Sequence, residues 1–212
     1  ANDNRPIITS PNVFTVDENQ LSVGTVTITD ADGGSDDPDW IAFYIEGVDK
    51  DLFEIGFKTG VITFKSAPDY ETKSEYNFQV NVSDGTLPET TQQVKVVIRD
   101  INDNAPVFTS DSAFTFDENA TSAITTITTT DEDTDSAVTY QITGGTDGAR
   151  FSVNSTGELR FSGFIPDFEN PLYSNDNDND YEVTVTAYDG VNQASQTITV
   201  TVNNLNDERP IV

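Results

Sequence analysis

The sequence predicts an all-β protein built as two tandem seven-stranded Greek-key sandwiches of immunoglobulin-like type. Three observations carry that expectation. Landmarks recur at one step along the chain, apolar and polar residues alternate with period two, and no segment shows a helical period. Asn2, Asn102 and Asn206 sit in similar Asn/Asp-rich runs at steps of 100 and 104 residues. Asp17-Glu18-Asn19 returns as Asp117-Glu118-Asn119, Asp69-Tyr70-Glu71 as Asp167-Phe168-Glu169, and Asp84-Gly85 as Asp189-Gly190. Four landmarks in one order define two copies of an ordinary-sized domain, 1–104 and 105–212.

Within the first copy, strands are expected near Val13 to Val16, at Thr25 to Thr29, and near Ile41 to Ile45, Leu52 to Ile55 and Val61 to Phe64. Two longer strands follow at Tyr76 to Val82 and Val94 to Ile98. The second copy repeats the pattern in Thr125 to Thr130, Tyr181 to Ala187 and Thr197 to Val202, all rich in β-branched residues that suit a pleated surface. About seven strands per copy, at these turn spacings, match a two-sheet sandwich. Thr59-Gly60 and Thr156-Gly157 are read as matching hairpin turns in which glycine supplies positive φ. Trp40 and the Phe/Tyr residues are assigned to the core rather than to a ligand platform.

Composition narrows the function classes. The net charge of −27 arises from 37 acidic residues against 10 Lys+Arg, a balance that repels nucleic acid and anionic membranes and favours cations. At 35% hydrophobic residues in alternating runs, the chain is expected to pack rather than stay disordered. There is no Cys and no His, which removes disulfides, thiolate sites, Ser-His chemistry and Cys-His chemistry. No apolar stretch approaches the roughly 20 residues that span a bilayer, and none reads as a signal peptide. The half-linkers at both ends predict a fragment of a longer array, with neighbouring repeats on both sides.

The ordered set of motifs resembles the cadherin repeat over essentially the whole chain. It comprises the Glu-Asn pair near each start, Asp30-Ala31-Asp32 after the second strand, Asp-x-Glu midway, Asp-Gly late, and the linker Asp100-Ile101-Asn102-Asp103-Asn104-Ala105-Pro106. Each element alone is unspecific; the ordered set with that linker is highly specific. The resemblance implies about three Ca²⁺ at the central junction. The outermost ion would take Glu18, Asp69, Glu71 and Asp103. The middle ion would take Glu18, Glu71, Asp100, Asp103, the Ile101 carbonyl and Asp133. The third would take Asn102, the Asn104 carbonyl, Asp131, Asp133 and Asp189, with a carbonyl near Asp135 added.

Calcium chemistry agrees with that donor set, because Ca²⁺ binds six to eight oxygens from carboxylates, amides and carbonyls, whereas Mg²⁺ demands a tight octahedron. Eight carboxylates at the junction would carry −8 without metal and −2 with three Ca²⁺. Like charges at about 4 Å repel, so a metal-free junction is expected to loosen. Partial sites are expected at the ends. Asn2, Asn4, Asp30, Asp32 and Asp84 form a receiving half; Glu118, Asp167, Glu169 and Asp207 form a donor half. Asn204 and Glu208 replace the usual linker Asp and Asn there, which predicts a weaker or missing middle ion.

Other motifs are given bland readings. Asp36, Asp37, Asp39, Asp147 and Asp176 are read as solvated loop charges. Asn175 to Asp180 has the acid spacing of an EF-hand but lacks its Gly and final Glu, so it is read as a polar loop rather than an additional ion site. Asp69 with Glu71, or Asp131 with Asp133, has the makings of a glycosidase pair, but metal explains these acids and nothing raises one pKa selectively. The chain is therefore expected not to be an enzyme. Asn81, Asn119 and Asn154 each begin a glycosylation sequon, a short motif that arises readily by chance in an Asn/Thr-rich chain.

Calcium-rigidified adhesion at the cell surface or in the extracellular space is the leading expectation, with the chain itself or another cadherin-like domain as partner. The composition is also similar to repeats of secreted bacterial and marine proteins, which keeps a polysaccharide-binding module and a passive spacer as alternatives. The N-terminal strand-swapping Trp of vertebrate adhesive cadherins is not visible.

Overall fold

The computed structural model describes residues 4–31, 41–134, 137–171, 174 and 178–207. Trp40, Tyr173, Asp36, Asp37, Asp39 and residues 175–177, the first half of the Asn175 to Asp180 segment, lie outside the described residues. The chain divides into two compact units, Ala1–Ile101 and Asn102–Val212.

The first unit is built from β1 (Ile7–Ile8), β2 (Val13–Asp17), β3 (Ser22–Thr25), β4 (Ile28–Thr29), β5 (Ala42–Glu46), β6 (Phe53–Ile55), β7 (Val61–Phe64), β8 (Glu75–Ser83) and β9 (Thr90–Arg99). These nine segments amount to seven strands, because two strands change partner partway along. β1 pairs antiparallel with β4, and after Ser10-Pro11 the same strand resumes as β2, parallel to β9. Thr25 to Thr29, read as one strand from its alternation, is likewise divided. Its first part pairs with β7; then the Val26 amide donates to the Gly60 carbonyl at 2.8 Å, and the Thr27 carbonyl accepts the Thr9 amide at 2.8 Å. One sheet runs β2-β9-β8-β5 and the other β3-β7-β6.

Period-two alternation explains which faces are buried. Tyr76, Phe78, Val80 and Val82 of β8 and Val94, Val96 and Ile98 of β9 point inward to meet Phe53, Ile62 and Phe64 from the opposite sheet. Phe53 centres an aromatic cluster, with its ring 4.4 Å from Phe64, 4.6 Å from Phe78 and edge-on to Tyr76. Each such buried side chain contributes about 1.5–3 kcal/mol relative to exposure. Assigning the Phe and Tyr residues to the core therefore holds for these positions.

The second unit repeats the plan with β10 (Val107–Phe108), β11 (Ala113–Asp117), β12 (Thr125–Thr126), β13 (Thr129–Thr130), β14 (Thr139–Gly144), β15 (Phe151–Val153), β16 (Glu158–Phe161), β17 (Asp180–Tyr188) and β18 (Gln193–Asn203). Its sheets run β11-β18-β17-β14 and β12-β16-β15, and the break in the Thr125 to Thr130 strand recurs, with the Ile127 amide on the Gly157 carbonyl at 2.8 Å. Tyr181, Val183, Val185, Ile198 and Val200 form its core with Phe151 and Leu159. Gly60 and Gly157 have φ of +67° and +84°, and a Cβ there would fall 2.5 Å from the Val26 carbonyl and 2.3 Å from the Ile127 carbonyl. Glycine is thus required at both hairpins by backbone conformation and by space.

Among the described residues the helical content is limited to 3₁₀ turns at Lys50–Leu52 and Gly148–Arg150. The residue before each turn corrects one expectation. Asp147 is only 5% exposed, and its carboxylate accepts the Glu182 amide at 2.9 Å, so it is a structural acceptor rather than a solvated loop charge. Asp49 does the same in the first unit, accepting the Asn77 amide at 2.7 Å and pairing with Lys73 at 2.5 Å.

Candidate metal centres

Each unit presents one acidic group where its chain leaves and another where its chain enters. In the first unit the leaving group is organised by Glu18, which follows β2 and is 1% exposed. Its Oε2 accepts the Tyr70 amide at 2.8 Å and its Oε1 accepts the Ile101 amide at 2.9 Å. A buried carboxylate thereby ties the Asp69-Tyr70-Glu71 loop to the start of the linker. The neighbouring Asn19 adopts φ of +61°, and its amide reaches the Pro68 carbonyl. Glu71 brings a carboxylate oxygen within 4.8 Å of one from Glu18 and one from Asp100. Asp69 is exposed, and the amide and hydroxyl of Thr72 hold its carboxyl below the usual carboxylate range.

The entering group of the second unit gathers Asp131, Asp133 and Asp189, whose carboxylate oxygens all lie within 4.8 Å of one another. Backbone donors aim them. The Asp189 Oδ1 accepts the Val191 and Asn192 amides, both at 2.7 Å, and the Asp131 Oδ1 accepts the Asp133 amide at 3.1 Å. Asp133 accepts both the amide and the side-chain nitrogen of Asn104, at 3.0 and 2.9 Å, and that side-chain nitrogen also reaches Asp103 at 3.1 Å. Asn192 fixes Asn102 by donating to its Oδ1 at 3.0 Å. The second oxygens, Asp131 Oδ2 and Asp189 Oδ2, are buried and have no hydrogen-bond partner among the described residues. Burial pushes the Asp189 carboxyl up, but the Val191 and Asn192 amides and Asn102 outweigh it and hold the group below its ordinary value. Buried carboxylate oxygens that no described residue pairs with are an expensive arrangement unless a cation is held there.

The same device stands at the entry of the first unit. Asp84 is 2% exposed; its Oδ1 accepts the Thr86 and Leu87 amides at 2.9 Å each, while its Oδ2 is buried without a partner among the described residues. Its carboxyl is pushed up by burial and pulled below the ordinary value by those amides. Asp30 is half-buried and Asn4 exposed, whereas Asn2 and Asp32 lie outside the described residues, as does Asp135 in the second unit.

At the end of the second unit Glu118 repeats Glu18. It is 1% exposed and accepts the Phe168 amide at 2.8 Å and the Leu205 amide at 2.6 Å, which hold its carboxyl below the usual range. Glu118, Asp167 and Glu169 bring oxygens within 4.8 Å of one another. Here amides stand on the acids: Asn204 donates to Glu169 at 2.7 Å and Asn119 to Asp207 at 2.7 Å. Desolvation first, and then the charges of Glu118 and Asp207, push the Glu169 carboxyl up. A bound cation would offset both the desolvation and the crowding of like charges there. Glu208 lies outside the described residues.

Sequence reasoning did not find Asn192, Asn119 or the amide-accepting role of the two glutamates. Asn192 had no repeat signal, since Leu87 occupies its place in the first copy. Asn119 was visible as the partner of Asn19 in the repeated Glu-Asn pair and as the start of a sequon, neither of which points to Asp207.

Residues 12–99 match the family model of the cadherin domain. Over 99% of this chain, it is 31% identical to mouse "Protocadherin Fat 4" and 33% identical to mouse "Cadherin EGF LAG seven-pass G-type receptor 2"; it spans only 4% and 7% of those proteins' lengths. Among solved structures, human protocadherin-24 EC1-2 superposes with a TM-score of 0.79 at 20% identity, over 97% of this chain and 100% of that one. Mouse cadherin-23 EC22-24 gives a TM-score of 0.74 at 25% identity, over 96% and 66%. The chain belongs to the cadherin repeat family, as two tandem cadherin-like domains.

Proposed function

We propose that this chain is a calcium-rigidified, extracellular or cell-surface adhesion module whose partner is a second copy or another cadherin-like domain. The observation that carries the reading is the pair of buried, unpartnered oxygens on Asp131 and Asp189 inside a cluster of three carboxylates. The donor set fits Ca²⁺, which takes carboxylate, amide and carbonyl oxygens together in flexible geometry. Asp131, Asp133, Asp189, Asn102 and the Asn104 carbonyl would hold an ion on the second repeat, with Asp135 as a further contributor. Glu18, Asp69, Glu71, Asp100, Asp103 and the Ile101 carbonyl would supply the remaining ligands of a three-ion junction, since the linker joins the two sets covalently. Bound cations would replace self-repulsion with shared coordination and stiffen the linker.

Asn2, Asn4, Asp30, Asp32 and Asp84 would receive ions donated by a preceding repeat. Glu118, Asp167, Glu169 and Asp207 would donate to a following one. The terminal donor group is the weaker of the two donor groups, because Asn204 stands where the first repeat has Asp100 and already satisfies Glu169 by hydrogen bonding. Calorimetric titration of metal-stripped protein tests the reading. Binding of calcium that is lost in the Asp131→Asn, Asp189→Asn double variant is expected; undiminished binding in that variant would overturn the assignment. Solution scattering with calcium and with chelator tests the stiffening. Sedimentation in calcium tests self-association.

A further inference from the structure

The fold sorts three sequons that the sequence alone leaves equivalent. Asn81 lies in the middle of β8, is 2% exposed and accepts the Gln79 side-chain amide at 2.7 Å, so any substituent on its nitrogen would be driven into the protein. Asn119 is exposed but left-handed at φ of +63°, and its nitrogen is engaged by Asp207 beside the buried Glu118. Asn154 differs from both. It follows β15 directly, at the tip of the hairpin leading to β16, and Asn154, Ser155 and Thr156 are all exposed.

Its side chain is oriented by its own turn. The Asn154 Oδ1 accepts the Thr156 amide at 3.0 Å, the Thr156 hydroxyl at 2.8 Å and the Glu158 amide at 2.9 Å. The carbonyl oxygen is therefore fully used inward. The nitrogen keeps a 3.3 Å contact to the Glu158 carboxylate, whose other oxygen pairs with Arg160. Three donors on the oxygen draw electron density from the amide and acidify its N–H, and one of the three is the sequon hydroxyl itself.

We propose that Asn154 is an N-glycosylation site and that the β15–β16 hairpin tip carries an oligosaccharide. The proposal rests on the extracellular location proposed above and takes as co-substrate, during export, a membrane-bound lipid-pyrophosphate-linked oligosaccharide. In the transfer, the Asn154 Nδ2 bonds to the anomeric carbon of the first sugar, and the bond from that carbon to the pyrophosphate oxygen breaks. The lipid pyrophosphate leaves with the electron pair, and one amide proton passes to base. A glycan there would reserve the hairpin tip for solvent, so adhesive contacts of this repeat would have to use other surfaces. The first repeat has Gly56-Phe57-Lys58-Thr59 at the corresponding hairpin and carries no acceptor.

The test is secretion of the chain from a eukaryotic host behind a secretory leader, followed by intact mass analysis before and after amidase treatment and by peptide mapping. One amidase-sensitive glycan at Asn154 is expected, lost in both Asn154→Gln and Thr156→Ala and retained in Thr156→Ser. Thr156→Ala keeps the asparagine, so its loss of glycan does not depend on the fate of Asn154→Gln. Unmodified Asn154 in secreted protein, or a glycan at Asn81 or Asn119 in its place, would overturn the proposal. Calcium titration of the same material reports separately on the adhesion-module reading.

Discussion

The Glu18 carboxylate accepts the Ile101 amide at 2.9 Å across 83 residues of sequence, closing the first repeat on the start of its own linker. Its other oxygen takes the Tyr70 amide, and Glu118 does the same with Leu205 and Phe168. These glutamates serve the fold through backbone amides alone.

Glu18→Ala should therefore destabilise the first repeat even in chelator. Each amide left unpaired costs about 1–3 kcal/mol. At roughly 4–8 °C per kcal/mol for a domain of this size, the melting temperature should fall by several degrees or more. A loss seen only in calcium would mean that Glu18 acts through metal alone.

Asp49 predicts an acid limb in the stability of the first repeat. Burial pushes its carboxyl up, but the hydrogen bond from Lys73, the Asn77 amide and the Lys73 charge together hold it below the ordinary value. A carboxyl depressed in the folded state stabilises fully above its unfolded pKa, and that contribution disappears as pH falls through its folded pKa. Asp49→Asn should cost about 1–2 kcal/mol at neutral pH, with the exposure of Lys73 tempering the loss. It should also flatten the acid limb in denaturant melts taken from pH 6 down to 3.

Gly60→Ala and Gly157→Ala should each destabilise their own repeat. Both sites have positive φ, and the added methyl would press on the Val26 or Ile127 carbonyl at the point where a strand changes sheets. Left-handed conformation alone costs about 1–2 kcal/mol, and the clash adds to it. Thermal melts of the two variants check this.

Asn204→Asp should convert the terminal donor group toward the form of the first repeat. In chelator the new charge beside Glu169 should lower the melting temperature. Calcium should then raise it by more than in the parent chain. An unchanged gap between the two conditions would show that Asn204 does not set the strength of that site.

Much of this organisation was legible in the sequence, and what was hidden has physical causes. Period-two runs placed β8, β9, β17 and β18, because one buried face leaves a direct pattern. Thr59-Gly60 and Thr156-Gly157 marked hairpins through backbone conformation. The division of Thr25 to Thr29 was not legible, since alternation continues unbroken while the hydrogen-bond partner changes from Gly60 to Thr9. Nor was the burial of Asp147, because an Asp followed by Gly looks like solvated turn chemistry until the 3₁₀ turn folds it under Glu182. For the acidic clusters, the acids were legible from their repetition. The orienting amides of Tyr70, Ile101, Val191 and Asn192 were not, because backbone donors leave no mark on sequence.

The central claim is that calcium neutralises and joins these acids, and calorimetric melting of the unaltered chain in calcium and in excess chelator tests it most directly. A clearly higher melting temperature in calcium is predicted, since a ligand bound only by the folded state stabilises it by mass action. Superimposable melting curves in the two conditions would contradict it.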